Sequence, residues 1–215
     1  MSIDVSGENV LDQSYSRQTY DFIMTRILEG ILKPGDEINR KGVAQELGIS
    51  LAPVSEAVNQ LETEGFLEIS PRRQTRVRIV RKEEVRGLLI MREAIECQAA
   101  RLYCGERISA NKDELVRLAR AVDSTEAGSK ENELAEGQFH QALVDLVDCE
   151  LMSVEFQKMM RRKLFMKINI IVPWSVQPPL DSHERLVETL CVEGPDSCEA
   201  AMRQHLERGR ERILK

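Results

Sequence analysis

Two short helical patterns parted by a tight glycine turn, two alternating segments just after them, and no strand signal from Arg81 onward predict a mostly α-helical chain. The expected architecture is an N-terminal winged helix-turn-helix followed by a C-terminal all-α six-helix bundle. Residues 1–13 are expected as a flexible tail, 14–80 as the winged unit and 81–215 as the bundle. A chain of 215 residues is long enough for two modest domains with real cores.

The first amphipathic helix is expected from Ser16 to Gly30, with Tyr20, Ile23, Ile27 and Leu28 as its apolar stripe. Leu32-Lys-Pro-Gly-Asp then breaks the chain. A short helix follows over Arg40–Leu47 and ends at Gly48; Ser50 stands as N-cap of the next, Leu51–Glu64, which packs through Val54, Ala57, Val58 and Leu61. After Gly65, the stretches Phe66–Ser70 and Arg76–Val80 alternate as a β-hairpin, the wing.

In a winged helix the start of the third helix enters the major groove and the wing meets the backbone or minor groove. The expected contacts to double-stranded DNA are Lys41, Ser50, Leu51, Ala52, Ser55, Arg72, Arg73 and Arg76. Net charge is −6, which by itself disfavours a phosphate ligand. Yet residues 13–80 are balanced, nine basic against nine acidic, and Arg72, Arg73, Arg76 and Arg78 crowd into seven positions. Such a cluster reads equally as a solvated charged hairpin or as a phosphate grip.

In the second half the breaks fall near Ile108-Ser109, Gly128-Ser129, Cys149, Pro173–Pro179 and Gly194-Pro195, dividing it into six helices. The first carries Val85, Leu88, Ile95, Ala99 and Leu102 on one stripe, and Arg92 shares it. A charge on a core-facing stripe must be paired or face a polar cavity. Arg92 is either one half of an internal ion pair with Glu96 or a clamp for an anionic ligand.

The chain has three histidines, His140, His183 and His205, on three separate helices, and Glu136 precedes His140 by four residues. That spacing puts the carboxylate and imidazole on one helix face. A lone histidine on an apolar face is usually a satisfied core residue, but three with a carboxylate make a metal set of Glu136, His140, His183 and His205. The ion would be divalent, zinc first, with nickel, iron or manganese also compatible. Arg92, Glu96 and Arg162 are the expected effector contacts, although Arg162 lies in the basic run Lys158–Lys167, and such runs are usually solvated.

The five cysteines include no C-x-x-C pair, which argues for reduced thiols packed in helices. No apolar run approaches eighteen residues, which argues against a membrane span. Residues 1–14 lack the apolar centre of a secretory signal, so a cytoplasmic, nucleoid-associated protein is expected.

Gly30-x-Leu32-x-Pro34-Gly35, Val43-Ala-Gln-Glu-Leu-Gly-Ile-Ser50, Pro53-Val-Ser-Glu-Ala-Val58 and Leu61-Glu-Thr-Glu-Gly-Phe66 resemble the N-terminal domain of GntR-type bacterial transcription regulators. The resemblance implies a homodimer on a short palindromic operator, usually a repressor. Two typical operator-contacting arginines of that family are replaced by Leu51 and Ser55, and Gln74 stands at the customary wing glycine. Arginine is the usual bidentate reader of guanine, worth about 1 to 3 kcal/mol per pair. An altered operator, or weaker binding that leans on Lys41 and the wing, is expected; lost DNA binding is the third possibility.

Arg92-x-x-x-Glu96, Gln138-Phe-His140, Ser182-His183-x-x-Leu186 and Ala200-Ala-Met-Arg-Gln-His-Leu206 resemble the FCD ligand-binding domain of one GntR subgroup. That resemblance implies a divalent metal on three histidines and an aspartate, with Glu136 in the aspartate position; open coordination positions on the ion would accept the carboxylate of a small effector, with Arg92 as its second clamp. The reading is a regulator and not an enzyme. Its alternatives are a metal-dependent enzyme in the helical half, or a metal- or ligand-binding protein with impaired or retuned DNA binding.

Overall fold

The computed structural model describes residues 5–70, 74–127, 129–169 and 182–210, with side chains for 14–70, 74–127, 129–166 and 182–207. Ten helices and a two-stranded antiparallel sheet account for most of the described residues. Two compact units emerge, Met1–Val80 with Phe165–Asn169, and Arg81–Leu164 with 170–215.

In the first unit, α1 (Val5–Leu28) lies against α3 (Leu51–Thr63), and α2 (Arg40–Leu47) precedes the turn. Tyr20, Ile23 and Ile27 are buried with Val54, Ala57, Val58 and Leu61, and the Tyr20 hydroxyl donates to Glu64 Oε2 at 2.5 Å. The expected loose tail is corrected in part: residues 5–13 are helical. A polar stretch gives no periodic signal, yet it extends a helix already nucleated at low cost.

The turn between α2 and α3 is made by local chemistry. Asn39 caps α2 by accepting from Gly42 N at 3.0 Å, and Gly48 closes it with φ 66°, while Ile49 N reaches back to Ala44 O at 3.0 Å. That left-handed backbone favours glycine, because a Cβ would crowd the following carbonyl.

The wing is shorter than expected, β1 (Leu67–Ile69) against β2 (Thr75–Val77), with Leu67 opposite Val77. It gains a third edge that alternation did not reveal: Glu37 bridges Arg76, Ile38 N donates to Thr75 O at 2.8 Å and Val77 N to Asp36 O at 2.9 Å. The segment entering α2 is thereby tied to the base of the wing.

The second unit contains α4 (Lys82–Tyr103), α5 (Glu106–Ala110), α6 (Lys112–Asp123), α7 (Lys130–Asp145), α8 (Glu150–Asn169) as far as Leu164, α9 (His183–Val192) and α10 (Pro195–Arg210). One more helix than expected appears because α4 stops at Cys104-Gly105 and the single turn α5 follows. The break expected at Pro173–Pro179 lies outside the described residues. α4 packs on α10 and α7, and α6 packs on α7 and α9. The buried line of α4 runs Val85, Leu88, Arg92, Glu96, Ala99 and Tyr103, whereas Leu102, placed on the stripe from sequence, is 50% exposed. Spacings of three and four sum to a helical period only on average, so one misplaced step moves the end of a long stripe off the core.

Replacing Gly48 with alanine is expected to destabilise the full chain by about 1 to 2 kcal/mol, the cost of a left-handed L-residue. Urea denaturation followed by far-UV circular dichroism checks this, and an unchanged midpoint would show that the turn relaxes.

Candidate metal centre and nucleic-acid interface

His140, His183 and His205 come together although they lie on α7, α9 and α10. Each offers a ring nitrogen within 4.8 Å of the others, and their ring centroids are 4.8 to 6.1 Å apart. Glu136, one turn before His140, places Oε2 at 3.4 Å from His140 Nε2 and Oε1 at 3.2 Å from His183 Nε2. The four expected ligands therefore converge, with His140 and His183 buried and His205 half-buried.

One carboxylate stands behind each of the His140 and His183 rings and fixes its orientation. Glu96 on α4 contacts His140 Nδ1, and Asp123 at the end of α6 meets His183 Nδ1 at 2.7 Å while accepting from the His183 amide at 3.2 Å. A carboxylate on Nδ1 holds the proton there, so both Nε2 lone pairs face the chamber. Neither buried nitrogen makes a hydrogen bond of good geometry, although both face Glu136, at 3.4 and 3.2 Å. Buried polar atoms are rarely left so. Two lone pairs aimed at one point beside a carboxylate fit a divalent cation.

Arg92 is buried and donates to Glu96 Oε1 at 2.5 Å, with its Nη2 3.8 Å from Glu136 Oε2. The internal ion pair and the inward-facing arginine are thus both present. Glu96, expected as an effector contact, has both oxygens engaged by Arg92 and His140, and is therefore an orienting group. Arg161 and Arg162 are exposed on α8, and the residue beside them turns inward. Lys163 is buried and pairs with Glu133 at 3.2 Å.

Asp123, Glu133 and Lys163 were missed from sequence, yet each left a trace. Asp123 is an acid in the last turn of α6, where the helix dipole disfavours it and a partner is implied. Glu133 sits on the face of Glu136 and His140, and Lys163 interrupts the apolar line Phe156, Met159, Met166.

The titrations reflect this crowding. Burial alone would raise the Glu136 carboxyl, but His140 and His183 outweigh it and hold it well below the usual range. Burial likewise acts to raise Glu96, and Arg92 and His140 bring it down to about 2. His183 is held above its ordinary value despite burial, by Glu136 and Asp123. His205 is pushed well below it, by burial first and then by the other two histidines. A cavity of about 180 Å³ between α9 and α10, lined by Ser182, Arg185, Thr189 and Gln204, reaches His205.

In the first unit Lys41, Ser50, Leu51 and Ala52 are exposed, and Ser55 is half-buried one turn into α3. Ser50 occupies the N-cap position without a side-chain cap bond. Arg76 is half-buried and bonds Gln74 Oε1 at 3.0 Å, and Arg40, not selected from sequence, donates to Thr75 Oγ1 at 2.9 Å. Arg72 and Arg73 lie outside the described residues. No helix among the described residues is long and apolar enough to cross a membrane.

Comparison with known proteins agrees with this two-part organisation. Residues 15–77 match the bacterial regulatory proteins of the gntR family, and residues 88–208 match the FCD domain. The chain is 26% identical to the HTH-type transcriptional repressor RspR of Escherichia coli K12, over 91% of this chain and 87% of that one. It is 27% identical to the HTH-type transcriptional regulator LutR of Bacillus subtilis (84% and 92%) and 25% to a D-xylose utilization operon repressor, so described as probable, of Paenarthrobacter nicotinovorans (95% and 91%). A GntR protein from Rhodococcus sp. RHA1 shares the fold with a TM-score of 0.70 at 18% identity, covering 94% of this chain and 98% of that one. The relatives are transcriptional regulators, and the enzymatic reading gives way to theirs. The chain is a DNA-binding transcriptional regulator of the gntR family, in the branch whose C-terminal part is an FCD domain.

Proposed function

We propose that this regulator is a homodimeric repressor of a short palindromic operator, with residues 14–80 as the reader and residues 81–215 as the sensor. A small carboxylate bound at a divalent ion on Glu136, His140, His183 and His205 would alter operator affinity. The observation that carries the reading is the pair of buried Nε2 atoms that converge beside Glu136 without a well-formed hydrogen bond, each ring held from behind by a carboxylate.

Charge supports it. Around the histidines, Arg92 and Lys163 face Glu96, Glu133, Glu136 and Asp123, which leaves two negative charges with neutral imidazoles. One divalent ion neutralises them. When bound it would also offer an open position to a carboxylate oxygen, the role zinc plays where a coordination site stays vacant. Arg92 is the second handle for the acid. It is anchored through Glu96 and within 3.8 Å of Glu136, so a ligand beside Glu136 also lies beside the guanidinium. The cavity reaching His205 supports a small effector entering between α9 and α10.

Repression is supported by the relatives that carry the word in their names. Dimerisation would set two recognition helices about 34 Å apart on one DNA face, and effector binding would change that spacing or its rigidity. The contacts proposed are Lys41, Ser50, Leu51, Ala52, Ser55, Arg72, Arg73 and Arg76. With Leu51 and Ser55 unable to read guanine bidentately, specificity is retuned.

Purified protein should carry close to one divalent ion per chain, and His140→Ala and His183→Ala should each lose it, as read by elemental analysis. Folded parent protein that takes up no zinc, nickel, iron or manganese would overturn the chamber. Glu96→Gln should leave the four ligands in place and weaken metal affinity about 10- to 100-fold in chelator competition; unchanged affinity would remove Glu96 from the orienting role. In selection from random duplexes, the parent and the Leu51→Arg, Ser55→Arg double variant should return different consensus sites, whereas an identical site from both would rule out retuned specificity.

A further inference from the structure

Two of the three chamber histidines have an acid behind the ring, and the third has none. Glu96 contacts His140 Nδ1, and Asp123 meets His183 Nδ1 at 2.7 Å. Among the described residues His205 makes ring contacts with His140 and His183, at centroid distances of 5.3 and 4.8 Å, and no hydrogen bond. A histidine that gives one nitrogen to a metal almost always donates its other ring N–H to a carboxylate, a carbonyl or a water. His205 offers one nitrogen to the histidine cluster. Its other nitrogen needs an acceptor that no described residue supplies.

The space beside the ring suits an anion. His205 is half-buried where the cavity between α9 and α10 reaches it, and Ser182, Arg185, Thr189 and Gln204 line that cavity, with no acidic residue among its described walls. Ser182 Oγ accepts from Arg185 N at 3.2 Å, and Thr189 Oγ1 donates to Arg185 O at 3.0 Å. Both bonds use backbone atoms of Arg185, so this first turn of α9 holds its shape without drawing on the guanidinium. The Ser182 hydroxyl accepts in its bond, which leaves its proton for a ligand. The cavity measures about 180 Å³. At roughly 30 Å³ per water-sized group it holds about six such groups, the size of a short-chain acid.

We infer that this cavity binds a small monocarboxylate on the outer side of His205, giving that ring the partner that Glu96 gives His140 and Asp123 gives His183. The acid accepts the His205 N–H, Arg185 balances its charge, and Ser182 and Gln204 are the neighbouring donors. This role presupposes His205 as a ligand of the ion proposed above. It places the acid outside the coordination sphere, apart from the open position on the ion. Acid and metal are then linked: a carboxylate behind a ligating imidazole raises its basicity, so each partner binds more tightly in the presence of the other.

The probe is sodium propionate, with sodium chloride at equal ionic strength as the reference, added to the full chain with isotopically labelled histidine and observed by nitrogen NMR. His205→Gln identifies the His205 signals. In zinc-loaded protein, propionate should shift the His205 ring resonances and leave those of His140 and His183 nearly in place. Chelator competition should show zinc held about 10- to 100-fold more tightly when the cavity is filled. Arg185→Ala should lose most of both responses, as should Gln204→Ala, an exposed position that serves if the first variant fails to melt as a folded protein. A silent His205 would leave the ring to water and overturn the site. Undiminished responses in the folded variants would put the acid elsewhere, and equal shifts of all three rings would put it on the ion; either result also overturns the site. Zinc uptake with a silent His205 therefore spares the metal reading. A chain that takes up no zinc, yet shows a His205 shift that Arg185→Ala removes, keeps the carboxylate site and sinks the metal reading instead.

Discussion

Ionised carboxylates and cationic side chains are gathered inside the helical unit, where an unbalanced charge is expensive. Arg92 and Lys163 meet part of the demand of Glu96, Glu133, Glu136 and Asp123, and the three imidazoles meet the rest only if they gain charge or bind it. Without an ion, His183 is held toward its protonated form and His205 toward its neutral one. The opposite shifts of two neighbouring rings are the same constraint seen from two sides: one positive charge is welcome beside Glu136, and several are not. The divalent cation proposed for the chamber would resolve both, since it would take the lone pairs and supply the charge.

This arrangement also explains the division of labour among helices. α7 presents Glu133, Glu136 and His140 on one face, α4 and α8 contribute the groups that aim or balance them, and Asp123 of α6 aims His183 of α9. Arg92 and Glu96 are one turn apart on α4, so the carboxylate that orients His140 also anchors the guanidinium. A ligand that draws on Arg92 must then be felt at His140. If the chamber binds metal and effector as proposed, the two would be coupled through a single buried carboxylate, a contiguous physical link of the kind that allosteric coupling needs.

The reader unit solves a different problem, holding a short helix in an exposed position. The Asn39 cap, the Gly48 turn and the bridge from Glu37 to Arg76 tie α2 and the wing to one frame, and α3 is anchored by Pro53, Val54, Ala57, Val58 and Leu61. Its opening face is left to Ser50, Leu51 and Ala52. In the proposed interface, exposed Leu51 would contribute shape and apolar contact where arginine would contribute paired hydrogen bonds.

Much of this was legible in the residues themselves. The limits of α2, the turn at Gly48, the burial of the α3 stripe and the shared face of Glu136 and His140 follow from spacing and capping, which act within a few residues of chain. The missing tail helix, the extra turn α5 and the bridge at Glu37 escaped because polar helices, short turns and isolated pairs have no periodic signature. That Glu96 stands behind His140, and that Asp123, Glu133 and Lys163 join the cluster, was not legible, because their partners stand far away in sequence. Local pattern determined which helices form and which faces they bury. Only packing decided which carboxylate stands behind which imidazole, because that depends on distances between helices that no one helix encodes.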